Sequence, residues 1–168
     1  MFSRIQRVAF LAFLPSLAYA QAGNSYTQSN LVSDGSVKAQ VTDTQLVNPW
    51  GVAIGQQTPF WINTAGSGLS EVYDSGGNKQ FVVKIPAAGA SVQSGSPTGI
   101  AFNPSTTDFA LPQGAAALFI FDALDGTISA WNASVSNAVV VADNSASGAV
   151  YTGLAIENNG TGPLIAVC

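Results

Sequence analysis

The chain has 168 residues, of which 47% are hydrophobic and 8% charged, and its formal net charge is −4 at pH 7. This length and composition indicate one globular domain with an apolar core, which excludes an intrinsically disordered protein. The sequence contains no histidine and one cysteine. It therefore excludes a Ser-His-Asp or Cys-His catalytic site, a histidine-ligated metal and an internal disulfide.

The first predicted element is an export signal over residues 1–20. Two arginines precede an apolar run at residues 8–14, and small residues stand at Ala18 and Ala20. This order is typical of a secretory signal, and the apolar run is too short to span a bilayer. A buried N-terminal helix is the alternative interpretation. We predict cleavage after Ala20 and a secreted or periplasmic protein with no membrane span after cleavage.

The mature part is predicted to begin with an extended segment at residues 21–45. Beyond the predicted signal, three lysines remain against nine carboxylates. No basic stripe is left to neutralise phosphates, so nucleic acid is not an expected partner.

A repeat begins at residue 46 and is predicted to continue to residue 168. Three segments share a glycine followed by an aliphatic residue, an alanine and another apolar residue. The glycines are Gly51, Gly99 and Gly153, which lie 48 and 54 positions apart. This spacing is within the range of β-propeller blades.

Each full repeat is predicted to form four strands joined by turns. The expected strands are 51–55, 59–63, 70–74 and 80–85, then 99–103, 117–121, 127–131 and 138–142. The second repeat holds about ten extra residues between its first two strands, and its prolines make them a loop. The predicted fold is all-β, a partial β-propeller with about two four-stranded blades and the start of a third.

The glycines and aromatics of the repeat have structural interpretations. Gly51, Gly99 and Gly153 would let neighbouring first strands approach closely. Four aromatics are expected to fill the space between adjacent blades as core residues. They are Trp61, Tyr73, Phe119 and Trp131.

Several motifs resemble a known family. The segments Leu31–Asp34, Leu46–Gly51 and Asp125–Trp131 read LVSD, LVNPWG and DGTISAW, and the match runs from about residue 27 to residue 167. The chain resembles a family of exported, functionally uncharacterised proteins that are predicted to form six-bladed NHL-like β-propellers. The resemblance implies a fold and an export route but no catalytic residues. Members of that family continue further, so we expect this chain to be an N-terminal fragment.

One set of polar residues is a candidate ligand site. Asn48, Trp50, Ser96 and Thr98 precede the predicted first strands. In a propeller these positions gather around one mouth of the central channel, where ligands bind. The alternative is turn chemistry, because Asn-Pro and Ser-Pro initiate turns.

No catalytic residue, metal site or cofactor is assigned. Asp122 and Asp125 offer oxygen ligands of the kind Ca²⁺ takes, but their spacing does not fit an EF-hand and an Asp-Gly turn explains Asp125. Glu71 and Glu157 have no partner carboxylate nearby in sequence, so a paired acid/base site is not supported. Asn132 and Asn159 begin N-glycosylation sequons, which matter in a eukaryotic source.

The preferred function is a non-enzymatic exported scaffold that binds an extracellular protein or a small ligand. Repeat architecture and the lack of histidine favour it. The alternative is a metal-dependent hydrolase or lactonase similar to gluconolactonase-type propellers, with most of its site in blades that this fragment lacks. Fold analogy is the only support for that alternative.

Overall fold

The computed structural model describes residues 26–89, 94–158, 160 and 162–168. The predicted signal at residues 1–20, the first part of the segment 21–45 and the asparagine of the Asn159 sequon lie outside these residues. The described part is all-β, with one short 3₁₀ helix at Ser145–Ser147. None of the helices within it is long and apolar enough to cross a membrane.

The strands follow one another along the chain with short connections. They are β1 Val32–Ser33, β2 Val41–Thr42, β3 Pro49–Ala53, β4 Phe60–Thr64, β5 Leu69–Tyr73, β6 Lys79–Lys84, β7 Pro97–Phe102, β8 Phe119–Ala123, β9 Thr127–Trp131, β10 Val139–Asp143, β11 Leu154–Asn158 and β12 Pro163–Val167.

Three antiparallel sheets are built from consecutive strands. Sheet I has the order β3-β4-β5-β6, sheet II has the order β7-β8-β9-β10, and sheet III pairs β11 with β12. A separate parallel pair joins β1 to β2. No sheet closes on itself among the described residues, and every pairing in the antiparallel sheets joins neighbours in sequence.

The strands predicted from sequence are confirmed. All eight predicted strands of the two full repeats are present, each displaced by at most two residues, and β9 has the predicted bounds. Valine, isoleucine and aromatic residues favour extended backbone here, and Asp-Gly and Gly-Gly turns end the strands. The predicted insertion forms the loop between β7 and β8.

The sequence similarity of the two repeats aligns Phe60–Asn63 with Leu118–Phe121, which predicts that Trp61 corresponds to Phe119. This alignment is wrong, since Ala53 pairs with Trp61 whereas Ala101 pairs with Ile120. Because Ala53 and Ala101 are equivalent in the repeat, Trp61 corresponds to Ile120. The long loop between β7 and β8 takes up the extra residue that shifts this register.

The main core lies between sheets I and II. The Trp61 ring stacks on the Phe119 ring with 4.2 Å between centroids, and the Trp131 ring lies 4.9 Å from Trp61. Val72 and Phe121 complete this layer and are fully buried. The predicted core role of Trp61, Phe119 and Trp131 is therefore confirmed.

The fourth aromatic, Tyr73, is buried on the opposite face of sheet I. Adjacent residues in a strand point to opposite faces, and Val72 occupies the face toward sheet II. The Tyr73 hydroxyl instead lies 2.8 Å from the Asp43 carboxylate in the N-terminal segment. Tyr73 therefore does not join the core between sheets I and II.

A second apolar layer joins sheets II and III. Ile120 and Ala130 of sheet II are buried there. Three residues of sheet III pack against them: Leu154, Ile156 and Ile165. The three sheets therefore stack in the order of the chain, with sheet II between the other two.

Two of the repeated glycines allow the first strands to approach. A Cβ atom on Gly51 would collide with the carbonyl oxygen of Thr98, and one on Gly99 would lie 2.5 Å from the backbone nitrogen of Leu154. These contacts involve backbone atoms that cannot rotate away, which confirms the predicted role. A Cβ on Gly153 would meet only the Cys168 Sγ, at 3.0 Å.

The described part of the N-terminal segment lies against sheet I. The Gly66 nitrogen donates to the Val47 carbonyl at 3.1 Å, and the Asn48 carbonyl accepts from Ala65 at the same distance. Val32 approaches Gly77 at the turn between β5 and β6. The segment therefore covers part of the sheet I face that points away from sheet II.

Candidate functional sites

The four residues predicted to line a ligand site lie at the starts of β3 and β7. Asn48 has a left-handed backbone with φ 51°. Trp50 is 45% exposed. Gly51 of β3 lies against Thr98 of β7, so the two strand starts are side by side. The structure therefore brings the two pairs of residues to one region.

Their accessibility differs. Thr98 is fully buried, and its hydroxyl lies 2.7 Å from the Asp122 Oδ1 and 2.8 Å from the Tyr151 carbonyl oxygen. Ser96 is half-buried, and its carbonyl accepts a hydrogen bond from the Leu124 nitrogen at 3.0 Å. Asn48 and Trp50 are exposed and Ser96 is partly exposed, whereas Thr98 is buried and makes its hydrogen bonds within the protein.

Two buried polar side chains flank the Thr98-Gly99 peptide. Asn63 of β4 donates through Nδ2 to the carbonyl oxygens of Thr98 and Gly99, at 3.2 and 2.8 Å. Asp122 of β8 accepts from the Thr98 hydroxyl and the Gly99 nitrogen through Oδ1. Asn63 and Asp122 are equivalent in the corrected alignment. In both repeats the side chain at this position therefore forms hydrogen bonds with a first strand, here with Thr98 and Gly99 of β7.

Each of these two side chains has one buried oxygen without a hydrogen-bond partner among the described residues. They are the Oδ1 of Asn63 and the Oδ2 of Asp122. Burial raises the pKa of Asp122, and the hydrogen bonds from Thr98 and Gly99 oppose that rise. Unpaired buried oxygens are uncommon because they forgo a hydrogen bond to water, so this pair marks a polar site beside the first strands.

The carboxylates suggested as calcium ligands do not form a complete metal site. Asp125 Oδ1 accepts from the Thr127 hydroxyl at 2.7 Å, and its Oδ2 accepts from the Ala88 nitrogen at 2.7 Å. The Asp125-Gly126 turn has φ 80° at the glycine. Across the described ranges, no three His, Cys, Asp or Glu residues lie together. Calcium takes about six to eight oxygens, so these residues do not fit it.

The largest charged cluster was missed by sequence reasoning. It consists of Asp43, Glu71, Tyr73 and Lys79, which we call the strap cluster. The Lys79 ammonium forms ion pairs with Asp43 and, at 2.9 Å, with Glu71. The Tyr73 hydroxyl contacts both Asp43 and Glu71. Glu71 is fully buried, so the cluster joins the N-terminal segment to sheet I through charges largely removed from water.

The two carboxyls of the strap cluster have opposite pKa shifts. Burial raises the pKa of Asp43, but hydrogen bonds from Lys79 and Tyr73 outweigh it and hold that pKa at about 2. Burial also raises the pKa of Glu71, and here the hydrogen bonds from Tyr73 and Lys79 do not overcome it. As the pH falls, Glu71 therefore takes up a proton before Asp43 does.

Counting protons explains this division. A phenol has one hydrogen, so Tyr73 donates to one carboxyl at a time although it contacts both. Burial raises the pKa of Tyr73, which keeps that hydrogen in place. The Lys79 ammonium supplies further donors through its contacts with Asp43 and Glu71.

Part of this cluster was readable from the sequence. Glu71 and Tyr73 are two apart in a predicted strand and so share a face. Lys79 pairs with Tyr73 across the next turn. Glu71 was expected to have no partner carboxylate nearby in sequence; Asp43, which is distant in sequence, joins its cluster through the folding of the N-terminal segment. No local sequence signal indicates that contact.

The strap cluster predicts a pH dependence of stability with opposite signs for its two carboxyls. The pKa of Asp43 falls from 3.8 to about 2 on folding. Its contribution, roughly 2 kcal/mol, is present above pH 4 and is lost as the pH falls toward 2. The pKa of Glu71 rises above 4.5 on folding. Its contribution is present below 4.5 and is lost as the pH rises through the folded value.

Two amide variants test these signs. Asp43→Asn should lower the free energy of unfolding at pH 7 and have little effect at pH 2. Glu71→Gln should raise it at pH 8 relative to the unmodified chain, because no charge then forms in the buried site. Urea unfolding at several pH values measures both, with the exposed Glu157→Gln as control. A Glu71→Gln variant less stable at pH 8 would contradict the raised pKa of Glu71.

Asn132, the first residue of one predicted sequon, makes side-chain hydrogen bonds within the folded protein. Asn132 is buried, and its Nδ2, the atom that would carry a glycan, donates to the Ala116 carbonyl at 2.9 Å. Its Oδ1 accepts from the Ser134 nitrogen at 3.0 Å. This asparagine therefore fixes the loop before β8 in the folded protein.

Part of this sequence is similar to a viral protein. The chain is 35% identical over 137 residues to an uncharacterised protein of Acanthamoeba polyphaga mimivirus, and the match covers 77% of this chain and 33% of that relative. The chain therefore spans about a third of the length of the relative it matches. No family model and no solved structure matches the chain.

Proposed function

We propose that the chain is part of an exported β-propeller that serves as a binding scaffold for an extracellular protein or a small ligand. Sheets I and II support blade assignments, because each is a four-stranded antiparallel meander whose first strand contains an equivalent glycine. Sheet III pairs two strands at the corresponding positions. In this proposal β3, β7 and β11 are the inner strands, and sheet III begins a third blade.

Export is proposed from the sequence of residues 1–20 alone. The positive start, the short apolar run and the small residues before Gln21 are the features of a cleaved signal. N-terminal sequencing of secreted material should begin at Gln21. Material that begins at Met1 would contradict export through this segment.

The observation that carries the binding proposal is a hydrogen-bonded platform at the starts of β7 and β11. The Ala88 nitrogen donates to the Asp125 carboxylate, which ties the connection between sheets I and II to a turn of sheet II. The Tyr151 nitrogen donates to the Ala123 carbonyl at 3.3 Å, which ties in sheet III. These hydrogen bonds hold Ala88 and Tyr151 in place, and a surface that is already ordered binds with less entropic cost.

The exposed Trp50 beside this platform is the proposed contact residue. An exposed tryptophan supplies a large apolar contact area and a hydrogen-bond donor, and tryptophan is enriched where binding energy concentrates. Asn48 lies next to it at the strand start and offers an amide. In this proposal the predicted candidates Ser96 and Thr98 do not contact the ligand; they stabilise the start of β7 through hydrogen bonds within the protein.

A capture experiment tests the binding role. The immobilised chain is exposed to extracellular fluid from the source culture, together with Trp50→Ala and with Tyr26→Ala as the exposed aromatic control. A partner should be retained by the unmodified chain and by Tyr26→Ala and be lost with Trp50→Ala. Capture that does not depend on Trp50 would contradict this assignment of the binding surface.

The hydrolase alternative has less support from the residues. Asn63 and Asp122 offer two unpaired buried oxygens beside the first strands, well short of the about six to eight that calcium requires. We therefore favour the scaffold. Calorimetric titration with Ca²⁺ and an assay of lactone hydrolysis distinguish the two, and stoichiometric calcium together with turnover would favour the hydrolase.

A further inference from the structure

The strap cluster holds an amine against a carboxyl group. The Lys79 Nζ of β6 contacts the Asp43 Oδ2 of the N-terminal segment, which leaves the nitrogen one bond away from the carboxyl carbon. The Asp43 side chain is only 11% exposed, so little water surrounds the pair. An amine and a carboxyl group held in this way can condense to an amide, because the fixed geometry replaces an encounter in solution.

Glu71 is placed to move the protons that such a condensation requires. Its side chain is fully buried, and its Oε2 lies 2.9 Å from the Lys79 Nζ. The Tyr73 hydroxyl contacts the same Oε2 and lies 2.8 Å from the Asp43 Oδ2. Hydrogen-bond contacts therefore run without a break from the amine through Glu71 and Tyr73 to a carboxyl oxygen of Asp43. Burial raises the pKa of Glu71, which favours the uptake of a proton.

The two oxygens of Asp43 have different surroundings. Oδ1 accepts a hydrogen bond from the Gln45 backbone nitrogen at 3.0 Å. Oδ2 instead contacts the Lys79 ammonium and the Tyr73 hydroxyl. A backbone N–H group directed at Oδ1 stabilises the negative charge that forms there when a nitrogen attacks the carbon. Oδ1 is therefore suited to remain as the amide carbonyl oxygen, and Oδ2 is suited to leave as water.

We propose that Lys79 and Asp43 form an isopeptide bond that joins the N-terminal segment covalently to sheet I. The bond between the Lys79 Nζ and the Asp43 Cγ forms, and the bond between Cγ and Oδ2 breaks. Two of the three ammonium protons leave with Oδ2 as water, one of them through Glu71 and Tyr73, and the third stays on the amide nitrogen. Glu71 and Tyr73 return to their starting states, and no further reactant is consumed.

Asp43 is favoured over Glu71 as the partner of the amine. The Oε1 of Glu71 has no hydrogen-bond partner among the described residues, so no donor stabilises an oxyanion on that side chain. Glu71 also lies on β5, which is already paired with β6 in sheet I. A bond to Asp43 fastens a segment that lies outside the sheet.

The bond has consequences for stability. The chain has one cysteine, so an internal disulfide cannot hold the segment. A link between residues 43 and 79 closes a loop and restricts the unfolded chain, as a disulfide does. It also removes the charges of Lys79 and Asp43, so the pH dependence described above belongs to the chain before the bond forms. The urea measurements of that dependence therefore use protein that retains its full mass.

Mass spectrometry of the purified full-length chain tests the proposal. The linked protein should be lighter than its sequence by the mass of one water molecule. Trypsin cleaves after lysine, but not where the amine is part of an amide. Digestion of the denatured protein should therefore give the peptide 39–84 without one water, in place of the peptides 39–79 and 80–84. Its fragmentation should release no ions from within 43–79, because both ends of that ring stay joined.

Two lysine variants show which amine reacts. Lys79→Arg keeps the positive charge but lacks the nucleophilic amine, so it should have its full mass and be cleaved after residue 79. Lys84→Arg is the matched control, because Lys84 is an exposed lysine on the same strand. That variant should still lack one water.

Two further variants test the carboxyl groups. Asp43→Asn should lose ammonia in place of water, because an amide nitrogen then leaves. Glu71→Gln should lower the linked fraction of the purified chain about tenfold or more, because glutamine does not carry the proton. Circular dichroism of each variant verifies that the sheets remain folded.

Three outcomes would overturn the proposal. They are a chain that trypsin cleaves fully after Lys79, a loss of water that persists at the same peptide in Lys79→Arg, and fragment ions from within 44–70, which would place the bond on Glu71. A succinimide at Asp34-Gly35 also removes one water, but it leaves cleavage after Lys79 intact and so belongs to the first outcome.

Discussion

Replacing Trp61 with alanine is expected to lower the free energy of unfolding by about 3–5 kcal/mol, the usual cost of truncating a large buried aromatic. Trp61 is fully buried between sheets I and II, where it contacts Phe119, Phe121 and Trp131. Its indole nitrogen has no hydrogen-bond partner among the described residues. The loss therefore reflects apolar burial and the cavity left behind.

The matched control is Trp50→Ala. Trp50 is the same residue type on β3 but is 45% exposed, so its truncation should cost about 1 kcal/mol or less. Denaturant unfolding followed by tryptophan fluorescence and circular dichroism measures both variants. Equal losses for the two would show that the interface between sheets I and II is not the principal core.

Replacing Gly51 with alanine is expected to lower the free energy of unfolding by about 1–3 kcal/mol. This loss should outweigh the gain that alanine gives by reducing the conformational entropy of the unfolded chain. The added Cβ would collide with the Thr98 carbonyl oxygen and lie 3.1 Å from the Ile100 nitrogen. Neither backbone atom can move without parting β3 from β7. The variant should therefore unfold at lower denaturant concentration.

Gly153→Ala is the control for this prediction. Gly153 holds the equivalent position in the repeat, but its added Cβ would meet only the Cys168 side chain, at 3.0 Å. We expect a change within about 0.5 kcal/mol, as for surface substitutions. If both glycines tolerate alanine equally, close approach of β3 to β7 is not what requires Gly51.

The strands were predictable because their signals are local. In β10, the run Val139–Val141 favours extended backbone by itself, and Asp125-Gly126 sets the turn before β9. The alignment of β8 was not predictable in this way. The loop between β7 and β8 contains one residue more than the sequence alignment allows for. The pairing of Ala101 with Ile120 is therefore known only from the hydrogen bonds between the two strands.

The candidate sites show the same limit. Trp50 and Thr98 are equivalent in the repeat, yet Trp50 is exposed, whereas Thr98 is buried with its hydroxyl beside Asp122 and the Tyr151 carbonyl oxygen. Asp43 was invisible as a partner of Glu71 because the N-terminal segment reaches sheet I through tertiary contacts. Sequence periodicity identifies strands and equivalent positions, but burial depends on which neighbours are present.

The pairing of every antiparallel strand with its sequence neighbour has a consequence for biogenesis. A chain that crosses a membrane through a secretion channel emerges unfolded, beginning with its N-terminal side. If the chain is exported as proposed, each hairpin needs only residues that have just emerged, so sheet I can assemble while sheet II is still in the channel. Short-range pairing of this kind limits the time during which bare strand edges are open to aggregation.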